Sequence, residues 1–193
     1  MDCPVLDQAE IPVPTPFAVR PYQPGDEAAW LAIHRAADAY NTFRDDTFAA
    51  QFGTDMDLLR RRQLYLLDGA ARPVGTASAW FHPEAPALGR VHWVAILPEC
   101  QGRGLAKPLL AQVCRRLREL GHTRAYLTTS TLRVPAICLY FALGFRPDCA
   151  GEARRRDWRD FLDRTADEPR AKPLRDHLAQ LDDATHNQTR KQP

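Results

Sequence analysis

The sequence predicts an α/β fold: a central mixed sheet, antiparallel at first and parallel at its centre, with helices on both faces. Three observations predict it. Gly89–Lys107, GRVHWVAILPECQGRGLAK, reads as a buried strand, a turn at Pro98, a glycine-containing loop and the start of a helix. The apolar segments Gln63–Asp68, Pro73–Phe81 and Val91–Leu97 follow one another through short connections, which makes an antiparallel meander. A helical pattern over Arg103–Leu120 then leads to a further apolar segment, Thr123–Thr129, and a helical crossover returns a strand parallel to the one it left.

Residues 1–16 contain Pro4, Pro12, Pro14 and Pro16 with little periodicity and read as an extended lead segment. Phe17–Tyr22 is the first strand. Gly25-Asp26 opens a helix with Asp26 as the N-cap and Trp30, Ile33, Ala37 and Tyr40 at helical spacing. That helix either packs only, or with Asn41–Phe52 walls a substrate cleft. Met56–Arg62 is helical and basic at its end. Asp68-Gly69 is a turn signal, and His82–Leu88, with two prolines, reads as the loop before the central strand. Val91–Leu97 is rich in branched and aromatic residues and ends at Pro98, which cannot donate to a ladder. On the next helix Leu105, Leu109, Val113, Leu117 and Leu120 mark one face; Pro108 sits in its first turn, where a missing N–H costs little, and Gly121 stops it. After Thr123–Thr129 comes a helix over Val134–Leu143, with Pro135 near its start and Gly144 as its cap; Phe145 begins another short strand.

From Cys149 the character changes. A helix over Glu152–Arg164 places Trp158, Phe161 and Leu162 on an inner stripe, so docking is favoured over nucleic-acid binding despite Arg154, Arg155 and Arg156. A short helix is expected at Leu174–Leu181 and disorder over Ala184–Pro193. The expected organisation is a lead segment (1–16), a principal domain (17–148) and a charged helical extension with a partly disordered tail (149–193).

The composition narrows the function. The 193 residues suit one domain with extensions, and 45% hydrophobic residues are enough for a sizeable core. A net charge of +2 argues against an extended nucleic-acid surface. No apolar run approaches the roughly 18 residues of a membrane span, and no signal peptide is visible, so a cytoplasmic location is expected. The five cysteines form no CxxC pair and no zinc pattern with the six histidines; no metal is expected, and reduced thiols are. Cys100 abuts the glycine loop and is a candidate reactive thiol.

The loop itself is a recipe for anion binding. A helix start offers free N–H groups and a positive dipole end, and small residues allow close backbone approach. A dinucleotide fingerprint fails for want of a third small residue after Gly102 and Gly104, where Lys107 stands, and no Walker run exists. What fits is Q-x-x-G-x-A, read as Gln101, Gly104 and Ala106. A second block, A-x-x-L-Y-x-x-x-G-F, is read as Ala136, Leu139, Tyr140, Gly144 and Phe145. In this order, and with an opening FAVRPYQPGDEAAWLAI, the chain from Phe17 to Pro147 resembles the GNAT superfamily of acyl-CoA-dependent N-acetyltransferases. One departure is Arg133, where members often carry an asparagine that touches the cofactor. The last strand usual after the Gly-Phe block is not obvious.

The resemblance implies acetyl transfer from acetyl-CoA, as cosubstrate, to a primary amine by direct attack in a ternary complex. It implies that backbone amides of Gln101, Gly102, Arg103, Gly104, Leu105 and Ala106 bind the pyrophosphate, with Arg103 and Lys107 either adding charge or merely solvated. It implies that the pantetheine arm pairs with Val94, Ala95 and Ile96, and that a backbone N–H there stabilises the oxyanion. In the family a bulge splays this strand from its parallel neighbour; no bulge is visible in the sequence. By the same resemblance Tyr140 is the acid for the departing thiolate, the alternative being a ring that only packs. His92, Glu84 and a water chain compete as the route for the amine's proton. The acceptor is a small-molecule or peptide amine, with Asp45-Asp46 and Asp55/Asp57 where acceptors often bind, and the protein a monomer or homodimer without nucleic-acid or membrane partners. A non-catalytic acyl-CoA-binding module, and a nucleotide-binding domain of another kind, are the competing readings.

Overall fold

The computed structural model describes residues 1–3 and 10–189, as backbone alone over 182–189. The chain forms two compact units: one runs from residue 4 through Leu127, the other joins Met1–Cys3 to the residues from Thr128 onward. In chain order the elements are β1 (Asp2–Cys3), β2 (Ala18–Pro21), α1 (Asp26–Ala37), α2 (Thr47–Phe52), α3 (Met56–Arg62), β3 (Gln63–Leu67), β4 (Pro73–His82), β5 (Ala85–Ile96), α4 (Ala106–Glu119), β6 (Arg124–Tyr126), α5 (Val134–Ala142), α6 (Glu152–Arg164) and α7 (Lys172–Thr189).

In the first unit the sheet runs β6-β5-β4-β3-β2. The three neighbouring pairs from β2 to β5 are antiparallel, and β5–β6 is parallel. This is the mixed sheet expected. Its faces are covered by different helices. A Cβ built on Gly89 would stand 3.1 Å from Leu117 of α4, whereas Trp80 and His92, on the alternate face, meet Phe52 of α2 at 5.1 and 5.7 Å between ring centroids. Trp30 of α1, fully buried, meets Phe43, Phe48, Phe52 and Trp93 edge-on at 5.6–5.8 Å. Each such pair adds about 0.5–1.5 kcal/mol beyond area burial. On α4 the buried residues include the expected Leu105, Leu109, Val113 and Leu117. The helix stops in a Schellman arrangement: Gly121, at φ 87°, donates to Arg118 O, and His122 N–H donates to Leu117 O.

Several boundaries differ from expectation. Asp26 is not the N-cap of α1; Gly25 holds that position at φ 96°. The Asp26 carboxylate, 6% exposed, instead takes two hydrogen bonds from Arg20, at 2.6 and 2.9 Å, and one from the Gln23 N–H. The bidentate pair outcompetes a local cap. Tyr40 lies beyond the end of α1 and is 57% exposed, so it is no part of the apolar stripe. His82–Leu88 is not a loop: β4 and β5 close a hairpin there, with Phe81 opposite Gly89 and His82 opposite Ala85. The register shift leaves Pro86, Ala87 and Leu88 without β4 partners, which is where a proline is tolerated in a strand. Only Arg124–Tyr126 of the expected Thr123–Thr129 are strand.

In the second unit α5 ends in the same way as α4, Gly144 N–H donating to Phe141 O and Phe145 N–H to Tyr140 O. Phe145 does not open a strand; the next residue, Arg146, makes one bridge to Asp2. Trp158 and Phe161 of α6 pack with Ile137 of α5 and Leu174 and Leu178 of α7, with Leu162 partly buried beside them. The basic run of α6 is partly neutralised: Arg154 pairs with Asp148, just before the helix, and Arg155 with Glu152. α7 is longer than expected and includes Ala184–Thr189, which are helical; residues 190–193, like 4–9 of the lead segment, lie outside the described residues.

Candidate active site

The central strand carries a bulge. Thr76 stands opposite Ala95 and Ser78 opposite His92, so three steps of β5 face two of β4. Trp93 absorbs the extra residue at φ 47°, in the left-handed region, a conformation that costs a non-glycine residue about 1–2 kcal/mol. Trp93 and Val94 therefore have no β4 partner in the register. On the other side the β5–β6 ladder ends at the Arg90–Tyr126 rung, so Val91–Ile96 run on without a β6 partner. A strand with backbone donors and acceptors released on both edges is a rail for a linear ligand bearing amides. At its far end Gly75 lets β4 press close: a Cβ there would meet Ile96 at 3.0 Å and the Ala95 carbonyl at 3.1 Å.

The loop that follows is tied to the strand. Leu97 N–H donates to Val74 O at 2.8 Å. Residues Pro98–Cys100 make one 3-10 turn. The Gln101 side-chain amide donates to Ile96 O at 2.8 Å. Gly102 and Gly104 sit at φ 72° and 76°. Nothing lies within 4 Å of a Cβ built on either, so their glycines answer a backbone need and not a lack of room. Leu105 is the N-cap of α4 and makes no side-chain capping bond; the first turn contains no acidic residue. The helix start thus keeps its donors and its positive dipole end. Arg103 and Lys107, both exposed, stand beside it with no ion pair among the described residues. Cys100 is 5% exposed, which removes it as an accessible thiol.

On the α1–α2 face of the rail lies a polar row in an aromatic setting. Gln63, Ser78 and His92 occupy successive rungs of β3, β4 and β5. Gln63 Nε2 and Ser78 Oγ are buried without a protein partner. His92, 9% exposed, has its pKa lowered to about 3, chiefly by burial and then by the charges of Arg90 and His34; it is a neutral imidazole at ordinary pH. Trp93 Nε1 donates to Gln51 Oε1 at 2.9 Å. Glu84 sits in the hairpin turn, roughly 20 Å from the bulge counted along the paired β4, too far to take a proton there.

In the second unit Tyr140 of α5 is 9% exposed, its ring edge-on to Phe145 at 6.3 Å. Burial pushes its pKa up to about 12, with Arg133 opposing. Its hydroxyl makes no hydrogen bond among the described residues. The ring packs while the hydroxyl is left unclaimed. Sequence reasoning missed the bulge, the Gln63–Ser78 row and Arg90. A tryptophan carries no signal for positive φ, and the row becomes visible only once the register is known.

A mixed sheet with a bulged central strand, released on both edges and running into a glycine loop at a helix start, defines an acyl-CoA N-acyltransferase type of domain. Residues 28–145 match the sequence model described as the Acetyltransferase (GNAT) family, and the chain belongs to that family. A mycothiol acetyltransferase of Pseudarthrobacter chlorophenolicus is 34% identical over 146 residues, covering 72% of this chain and 45% of that protein. One of Streptomyces griseus is 32% identical, with coverages of 72% and 46%. The chain therefore spans about half the length of the curated relatives it matches. A GCN5-related N-acetyltransferase from Sphaerobacter thermophilus superposes with a TM-score of 0.61 at 21% identity, over 74% of this chain and 46% of that one. A phosphinothricin acetyltransferase from Sinorhizobium meliloti, solved with AcCoA, gives 0.57 at 21%, over 66% and 74%. At such identities these two show the fold. Among the described residues no three His, Cys, Asp or Glu side chains converge on a metal site, and no helix is long and apolar enough to cross a membrane.

Proposed function

We propose that this chain moves an acetyl group from acetyl-CoA to a primary amine by direct attack. The single observation that carries the reading is the released rail, Trp93–Ile96, leading into the Gln101–Ala106 helix start. The pyrophosphate is held by main-chain N–H groups of Gly102, Arg103, Gly104, Leu105 and Ala106, with Arg103 and Lys107 as counter-charges; the Gln101 N–H, expected among them, is already given to Pro98 O at 3.1 Å, so Gln101 contributes by tethering the loop. The pantetheine arm pairs along Val94, Ala95 and Ile96.

The amine nitrogen attacks the thioester carbon, and the carbonyl electrons move to oxygen. An N–H released by the bulge at Val94 receives that oxyanion; one such donor is worth about 3 kcal/mol. Collapse re-forms the carbonyl and expels the CoA thiolate. The sulfur takes a proton from the Tyr140 hydroxyl, and water returns one to the phenolate, so that the proton lost by the amine balances the one gained by the thiol; the role is carried by the A-x-x-L-Y-x-x-x-G-F block and supported by that hydroxyl's having no other partner among the described residues. The amine's proton leaves through water: His92 holds a proton too weakly to store it, and the unpartnered Gln63 and Ser78 groups suit internal water beside it. Consumption of acetyl-CoA places the work in the cytoplasm.

Free-thiol release from acetyl-CoA across an amine panel, including the amine acceptor of mycothiol acetyltransferases, tests this reading. Turnover with at least one amine is expected. Tight CoA binding with no turnover on any amine would leave a binding module instead, and affinity for ATP or NAD without CoA binding would refute the family's chemistry here.

A further inference from the structure

Arg90 stands out among the arginines. Several half-buried arginines are matched to oxygen: Arg20 to Asp26, Arg62 to Ala79 O, Arg146 to Phe141 O, and Arg175 to Glu168 O; Arg133 shares a buried, unpartnered Nε but interacts elsewhere in its own unit. Arg90 is half-buried too, yet its Nε is buried with no hydrogen-bond partner and its guanidinium makes no ion pair among the described residues. Its one contact of note is apolar: the guanidinium carbon lies 5.7 Å over the Tyr126 ring, which in turn meets His82 at 5.6 Å. A buried guanidinium N–H without an oxygen is costly, because it loses water and the cation–π contact does not replace the hydrogen bond; the terminal nitrogens, which are not among the buried unpartnered atoms, are left to meet a ligand.

Its position gives that unused charge a purpose. Arg90 and Tyr126 are the last rung before β5 and β6 part. Arg90 and His92 lie on the same face of β5, opposite Trp80 and Ser78 respectively, just N-terminal to the bulge. On the reading above the thioester end of the cosubstrate stops near Val94, so Arg90 lies on the side from which the acceptor arrives. We propose that Arg90 is an acceptor-recognition residue that binds a carboxylate, so that the preferred acceptor is a primary amine carrying a carboxylate several bonds away. This rests on the acetyl-transfer reading. The spacing follows from the strand: Arg90 to Val94 spans roughly 10 Å once the bulge is allowed for, so the carboxylate and the attacking amine are separated by a chain and not by one carbon. The charge argument agrees. A cation here disfavours an ammonium at the reacting centre, as it disfavours protonated His92, and a carboxylate on the acceptor offsets that repulsion while the amine is delivered neutral.

The test compares ε-aminocaproate with ε-aminocaproamide, which differ only in the charge. The acid should show a KM at least about tenfold below the amide. Arg90→Gln should raise the acid's KM by about 10–100-fold, the usual range for losing a charged hydrogen bond, and leave the amide's kcat and the KM for acetyl-CoA within about twofold. Arg90→Lys should restore part of the preference. Calorimetry of the two N-acetylated products on CoA-saturated protein reads the same contact without turnover, so a failure of acetyl transfer itself is distinguishable. Equal affinities of acid and amide for the wild type, or an Arg90→Gln effect equal for both, would overturn the assignment.

Discussion

Replacing Trp93 by glycine and, separately, by alanine interrogates the backbone of β5 directly. Both changes remove the same packing: edge contacts of the indole with Trp30, His34 and Phe43 at 5.3–5.6 Å and its hydrogen bond to Gln51. Truncating a fully buried tryptophan costs about 3–5 kcal/mol; Trp93 is half-buried, so about 2 kcal/mol is expected from this source. The two variants then differ only in a Cβ. In an ordinary strand interior alanine is favoured over glycine by about 0.5–1 kcal/mol. At φ 47° the Cβ itself costs about 1–2 kcal/mol. The sign reverses, and Trp93→Gly should be the more stable of the pair by about 0.5–1 kcal/mol, or about 1–4 °C in Tm for a chain of this size. Urea midpoints and thermal melts of both variants measure it. If Trp93→Ala equals or exceeds Trp93→Gly, residue 93 is not left-handed, the bulge is absent, and the released rail goes with it.

Three further outcomes are expected. Tyr140→Phe should lower kcat by about 100-fold or more with little change in the KM for acetyl-CoA; because burial holds the phenol at about 12, steady-state rates in the wild type should show no falling limb from it below about pH 11. His92 has a folded pKa of about 3 against an ordinary 6.5, so the unfolded chain binds the proton first. Its contribution to stability is complete above about pH 6.5 and falls by about 1.4 kcal/mol per unit of pH down to about 3; urea midpoints against pH should show this slope, and His92→Gln should flatten it. Arg20→Met strands the Asp26 carboxylate, 6% exposed, and should cost about 3–5 kcal/mol in urea denaturation, with most of it recovered in the Arg20→Met, Asp26→Leu double variant.

The elements were legible where one residue type has one job. Gly121 and Gly144 announced helix ends because the cap needs positive φ, and both occupy it. The apolar face of α4 was legible because its spacing is helical over several turns. The hairpin at His82–Leu88 was hidden by Pro86, whose usual meaning is a break; only the register irregularity makes room for it. The bend of the loop could be read from Gly102 and Gly104, but the character of the rail could not. Val91–Leu97 is apolar throughout, so nothing in it marks the point where alternation slips by one residue. Arg90 was invisible for a related reason: an arginine in a strand means little until its neighbours, and the oxygens it lacks, are in place.

The close seat of Gly75 against Ala95 and Ile96 extends the functional surface to a residue that meets no ligand. A methyl group there would act as a wedge behind the rail, driving its last two residues outward and dragging the Gln101 tether after them. Loss of coenzyme affinity would then map to the concealed side of the hairpin, and an inventory confined to pocket-lining positions would overlook its origin.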